Sequence, residues 1–247
     1  MLKIDNTKRG TFARCPRKYY YEYVRHLQPF YGSTALRYGS TWHAALDGFY
    51  THIKENGWTR DGQAMHTAIT EMQKEWNEIT QKQNFYEDYR TMENCANSFI
   101  QYLDFYASDE GMLQILEPEA PFAIEMGPWC ADWDRVPGLE GFIFTGKIDC
   151  RIKLDGRPWL LEHKTTGQAI TIQAQRLNRT AQFKGYTYAD SVINGKETEG
   201  MLVSFHHLSA RKSPKTGLYG KSKIEFQRVP QIFSPIDVRN WKVSLFY

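Results

Sequence analysis

The sequence predicts an α/β (α+β) chain, helical in its N-terminal half and built on strands in its C-terminal half. Three observations carry this reading. Apolar residues from Thr11 to about Tyr106 return at three and four positions, with few prolines after Pro29. The pattern changes near residue 117. Beyond that point two strand-like runs flank Asp155-Gly156, a dipeptide favoured in two-residue hairpin loops because both positions tolerate positive φ. The 247 residues suit one domain, 1–247, with a helical part over 1–116 and a sheet-containing core over 117–247.

In chain order, FARCPRKYYYEYV (12–24) mixes Arg and Lys with Tyr. It reads either as an amphipathic helix with aromatic core residues or as a surface where Arg14, Arg17, Lys18 and Tyr19 meet phosphates and bases. STWHAALDGFYTHIKENG (40–57) is expected to form one helix, capped by Ser40 or Thr41 and ended by Asn56-Gly57. Trp42, Leu46, Phe49 and Ile53 then share a face, with His43 beside it. Segments 65–83 and 91–107 continue the helical run, and 117–141 brings strands and turns. The hairpin strands are 142–154 and 158–166. Residues 171–195 read as one helix closed by Gly195, followed by a strand at 200–210. The basic loop 211–223, with Lys215 and Lys221, could grip a phosphate backbone or be an exposed hairpin tip. After a strand at 224–229, the segment from Ser234 starts as a capped helix and stops abruptly, so a longer natural chain is expected.

The totals narrow the class. A hydrophobic fraction of 41% with 24% charged residues is that of a soluble globular protein and excludes disorder. Net charge is only +3, so a polyanionic partner must be argued from where the basic residues lie. The four cysteines, Cys15, Cys95, Cys130 and Cys150, form no CxxC pair, which excludes a zinc ribbon and a disulfide framework. The opening MLKIDNTKRG lacks a signal peptide's apolar region, and no run approaches the ~18 apolar residues of a membrane span. A cytoplasmic location and no membrane partner are expected.

The hairpin holds the chemistry. With Leu154 paired to Arg157, counting outward sets Asp149 opposite Glu162, and alternation puts Glu162 and Lys164 on one face. Two carboxylates facing one another in a partly buried place need a compensating charge. A divalent cation supplies it, and clustered carboxylate oxygens suit Mg²⁺ or Mn²⁺. Such an ion lowers the pKa of a bound water, and Lys164 can orient that water or offset charge growing on a phosphate. A solvated cross-strand Lys-Glu pair is the plain alternative.

Asp followed 13 residues later by Glu-x-Lys resembles the core of the PD-(D/E)XK nuclease superfamily. Four further elements resemble its RecB-like branch, in order: the Cys-Pro segment followed by basic and aromatic residues, Gly39-x-x-x-His43, Gly146-x-x-Asp149, and Gln182-x-x-x-Tyr186. The resemblance implies a restriction-endonuclease-like core with a central mixed β-sheet flanked by helices, plus the N-terminal helical region. It implies that His43, Asp149 and Glu162 ligate the metal with the His163 carbonyl. Lys164 would be the catalytic lysine, and Gln182 and Tyr186 would position the site or the strand. CRISPR-adaptation relatives hold an iron-sulfur cluster through an early Cys and three late ones. No cysteine follows Cys150, so no such cluster is expected and Cys15 reads as a small buried residue.

His206-His207 is expected to be structural, since adjacent strand residues face opposite ways. Glu125 is a candidate further acid near the metal. The expected activity is that of a Mg²⁺- or Mn²⁺-dependent deoxyribonuclease, an exonuclease acting on single- or double-stranded DNA in repair, recombination or phage DNA processing. A recombination or replication protein is a further expected partner. The alternatives are a catalytically silent nucleic-acid-binding subunit and a retaining glycosidase, whose carboxyl groups also lie about 5–5.5 Å apart.

Overall fold

The computed structural model describes residues 2–58, 62–127, 141–177, 180–195 and 198–245. A helical layer leads: α1 (Asn6–Arg14), α2 (Pro16–Tyr19), a π-helical turn (Tyr20–Val24), α3 (Thr34–Asn56), α4 (Gln63–Lys82), α5 (Met92–Phe105) and α6 (Asp109–Met112). Short strands β1 (Leu2–Ile4), β2 (Tyr31–Gly32) and β3 (Asn84–Phe85) are set among these helices. The main strands follow as β4 (Leu113–Met126), β5 (Phe142–Leu154), β6 (Arg157–Thr166), β7 (Gly200–Ser209) and β8 (Lys223–Gln231). Between and after them lie α7 (Ile170–Ala174), α8 (Ala181–Asn194) and α9 (Pro235–Val243).

The six-stranded sheet runs β1-β5-β6-β7-β8, with β4 added on β5. The spine is β5. One edge of it carries antiparallel β4 along its length; the other carries parallel β1 at 142–144 and antiparallel β6 at 150–154. Residues 145–149 make no ladder pair on that second edge, so the sheet splits there with Asp149 at the lip. The mixed pattern arises because β6 returns parallel to β7 after the α7–α8 crossover, whereas β7–β8 is antiparallel.

The hairpin has the expected register. Asp155 and Gly156 have φ of 49° and 77°, the pair of positive angles a type I′ turn needs. Leu154 pairs with Arg157 and the ladder runs to Cys150–Leu161. It ends one pair short of Asp149–Glu162.

Both faces of the sheet are buried. Against one, Trp42, Leu46, Phe49 and Ile53 of α3 pack with Met72, Phe99, Cys150, Ile152 and Leu161. Against the other, Phe183 and Tyr186 of α8 and Trp241 of α9 pack on Phe122, Phe144, Ile148 and Leu160. Ile148 belongs to one core and Cys150 to the other, although two residues along a regular strand share a face. Alternation therefore slips at Asp149. The pairs Pro118–Cys150 and Ala120–Ile148 bracket the same point on β4, where Glu119 has a φ of 48°. A bulge lies just before it, between Ile115 and Glu117.

Three expectations are corrected. The helix placed at 40–57 begins at Thr34, because Ser33 caps it by accepting from the Leu36 N–H at 3.3 Å; Ser40 and Thr41 lie inside. The class changes at Leu113 rather than 117, where β4 follows α6 directly. The single helix of 171–195 is two, because the backbone turns at Gln175–Leu177 to bury Leu177, and α8 restarts after an extended Thr180. Cys130 and the turns expected at 128–140 lie outside the described residues. No helix among the described residues is long and apolar enough to cross a membrane.

Candidate metal centre

The buried face of α3, with Trp42 and Leu46 almost fully enclosed, turns His43 to the split in the sheet. Its Nδ1 lies 3.4 Å from Asp149 Oδ2. That oxygen also accepts the His163 main-chain N–H at 2.7 Å, so a side chain satisfies a backbone donor beyond the end of the ladder. The N–H and C=O of a strand residue leave on the same edge, which turns the His163 carbonyl to the same gap. From the kink in β4, Glu119 reaches this point too. His43, Glu119 and Asp149 each offer a ligand atom within 4.8 Å of the others. Lys147 pairs with Glu119.

Glu162 stands to the side of that trio, on the α8 face of β6. Lys164 Nζ donates to Glu162 Oε1 and, at 3.2 Å, to Gln182 Oε1. Gln182 Nε2 donates to Glu162 Oε1 at 3.1 Å and to the Tyr186 hydroxyl at 2.9 Å, the two α8 residues being one turn apart. Glu162 Oε2 is buried with no hydrogen-bond partner. An orphaned carboxylate oxygen is costly, and beside the Asp149 carboxylate it fits a bound cation.

Charges here are strongly coupled. Burial raises the pKa of Glu162, and Asp149 raises it further against the pull of Lys164. Burial alone would raise Asp149 as well, but His43 outweighs it, with help from Lys164, and holds the carboxyl well below its ordinary range. Burial opposes protonation of His43 and Lys164, yet the facing carboxylates raise both. Burial lowers His163 to about 3, so its ring is a neutral packing group, stacked on Tyr50. Oxygen donors with one imidazole suit a hard or borderline divalent cation.

A cleft of about 450 Å³ opens over the site, lined by Leu36, Tyr38, Arg90, Lys147, Asp149 and Lys164 among others. On its far side lies a groove with Asp47, Glu71, Glu75 and Glu78, joined to the cleft at His43, Glu119 and Lys147.

Other candidates sit elsewhere. Glu125 is opposite Ile143, six residues along β4 from Glu119, or about 20 Å at ~3.3 Å per residue. It is not near the centre. Glu119 takes that place, and its sequence signal was an acid between Pro118 and Pro121, whose spacing of three breaks strand alternation on an edge strand. His206 packs on Trp42 while His207 bonds Glu225 on the next strand, so neither faces the centre. Cys15 is half-buried rather than buried, because its Sγ caps α2 by accepting from the Lys18 N–H at 3.4 Å.

Arg14, Arg17 and Lys18 are exposed, Lys18 paired with Glu22 at 3.3 Å. Tyr19 is half-buried between Phe12 and Tyr23, and Phe12, Tyr20 and Tyr21 are the exposed rings of that run. Lys215 and Lys221 are exposed on a loop whose Tyr219 packs on Tyr89, beside the cleft residue Arg90.

A family model of the PD-(D/E)XK nuclease superfamily matches residues 7–231. Among curated proteins none matches. Of 12 matching chains of solved structures, one described as "Crystal structure of SSO0001" has 9% identity and a TM-score of 0.33, over 87% of this chain and 87% of that one.

Proposed function

The chain belongs to the PD-(D/E)XK nuclease superfamily, and on that premise we propose that it is a RecB-like, Mg²⁺- or Mn²⁺-dependent exonuclease hydrolysing phosphodiester bonds in DNA. The observation that carries this reading is the orphaned Glu162 Oε2 beside Asp149, in a carboxylate whose other oxygen is held by Lys164 and Gln182. His43, Asp149 and Glu119, whose ligand atoms lie within 4.8 Å of one another, would hold the ion, with Glu162, to the side of that trio, and the His163 carbonyl as further oxygen donors. When bound, such an ion lowers the pKa of a coordinated water and neutralises charge on the scissile phosphate.

The chain's own groups do the rest. Lys164 Nζ, fixed by Gln182, holds the attacking water and offsets negative charge on the phosphate. Tyr186 fixes Gln182. Arg14, Arg17, Lys18, Lys215 and Lys221 would guide the backbone. The groove with Asp47, Glu71, Glu75 and Glu78 keeps an excess of acids although Lys74 pairs with Glu71, and this excess disfavours phosphates beyond the site, which favours a strand that ends there and hence exonuclease action. One domain in the cytoplasm, without an iron-sulfur cluster, serving repair, recombination or phage DNA processing beside a recombination or replication protein, completes the proposal.

The test is end-labelled linear and covalently closed circular DNA, single- and double-stranded, incubated with Mg²⁺, Mn²⁺ or EDTA. Cleavage of linear DNA alone, abolished by EDTA, is expected. Circular substrate cut as readily removes the exonuclease reading, and no cleavage in either metal leaves a nucleic-acid-binding subunit.

A further inference from the structure

The short pair β2–β3 is a built platform. Tyr31 pairs with Asn84 and Gly32 with Phe85 in parallel. The Arg37 guanidinium lies 3.9 Å from the Trp76 ring centre and 4.3 Å from that of Phe85, which fastens β3 to α3 and α4. On this base the rings of Tyr31 and Tyr86 stack at 4.2 Å with planes 22° apart, and Phe30 meets Tyr31 edge-on at 5.0 Å. Yet Tyr86 is 66% exposed, Phe30 75% and Tyr31 42%. Aromatic rings fixed in orientation and left in water mark a contact surface.

The platform adjoins the cleft. Ser33 caps α3 directly after β2, and Leu36, Gly39, Ser40 and His43 line the cleft along that helix. From Leu36 to His43 is seven residues, about 10 Å at ~1.5 Å per residue. The segment that leads into the ledge is basic: residues 1–37 carry eight Lys and Arg against two acids in a chain of net charge +3, and Arg37 lies against the ledge's base. Nearby Asp88 is neutralised by Arg90 at 2.5 Å and bonded by Thr34 at 2.7 Å, while the exposed Glu87 follows Tyr86 in the chain.

We propose that Tyr31 and Tyr86, with Phe30, form a ledge that stacks unpaired bases and selects a single-stranded nucleic acid for the cleft, a purpose that rests on the nuclease reading above. In a duplex the base faces are covered by their neighbours, so a ledge of π faces gains nothing from paired DNA. Unpaired bases of any identity offer a face. The ledge therefore selects strand state, not sequence.

The test is binding in EDTA, by fluorescence anisotropy, of a labelled single-stranded oligonucleotide and its duplex. The proteins are wild type, Tyr31→Ala, Tyr86→Ala and Tyr86→Trp, each checked for an unchanged melting temperature. The single-strand to duplex affinity ratio should fall about 5- to 100-fold in each alanine variant and be kept in Tyr86→Trp. A 2-aminopurine in the single strand should be quenched by wild type and not by Tyr86→Ala. An unchanged ratio overturns the proposal, and so does a wild type that binds no single strand, which would give the ledge to a protein partner. Because no metal is needed, a ledge-dependent ratio without cleavage refutes the nuclease reading alone. Metal-dependent cleavage with an unchanged ratio refutes the ledge alone.

Discussion

Glu162 has one oxygen held by Lys164 and Gln182 and the other buried without a partner, and this asymmetry separates it from an ordinary ion pair. Lys164→Ala should lower cleavage by about 10²-fold or more, the usual scale for a positioned proton-handling or charge-stabilising group, read by single-turnover kinetics. Glu119→Gln should raise the Mn²⁺ concentration for half-maximal cleavage by about 10- to 100-fold with little change at saturation. An unchanged half-saturation would remove Glu119 from the centre. Glu162 and Lys164 on one face of β6 were legible because strand alternation and a two-residue turn fix the hairpin register as far as Cys150–Leu161; the place of Asp149 was not fixed by that counting, because alternation slips there. Glu119 was not, since its place depends on a bulge and on a φ of 48° at a non-glycine residue, which period-two counting does not contain.

At the scale of elements, the hairpin and the β4 kink set the site. Gly156 holds a φ of 77°, and Gly156→Ala should cost about 1–2 kcal/mol, the penalty for a Cβ in the left-handed region, seen as a lower urea midpoint. Gly146 is limited by space instead. A Cβ there would overlap the Phe122 ring and lie 3.2 Å from Tyr186. Gly146→Ala should thus cost about 1–3 kcal/mol and also slow cleavage, because Tyr186 supports Gln182 and through it Lys164. Stability lost without any loss of rate would break that chain of support. Element bounds were least legible where propensity was silent. Exposed Leu36 gives α3 no apolar period to extend back to Ser33. No Gly or Pro between 171 and 184 marks the break before α8.

For the whole molecule, a spine strand shared by β1, β4 and β6 leaves a split that only tertiary pairing creates, so the sequence predicted strands in the regions of β4 to β8 but neither β1 nor the gap. The same close packing encloses His206, whose ring lies 4.1 Å from that of Trp42 with both nitrogens unpartnered. Burial, with a smaller push from His207, lowers its pKa to about 3. The unfolded chain, with a pKa near 6.5, then binds more protons below that pH. This stability is full above ~6.5 and falls as pH drops toward the folded value, by about 2 kcal/mol between pH 7 and 5. The gap between the urea midpoints at those two pH values should narrow in His206→Phe, with His163, also lowered to about 3, keeping part of it; an undiminished gap would mean that His206 carries none of the acid sensitivity.

The most direct measurement of the central claim is single-turnover cleavage of an end-labelled linear strand against Mn²⁺ concentration, for wild type, Asp149→Ala and Lys164→Ala. Wild type should show no cleavage in EDTA and a saturable rise with Mn²⁺, while neither variant recovers at any concentration. Cleavage that persists in EDTA, or a Lys164→Ala rate equal to wild type at saturation, would contradict it.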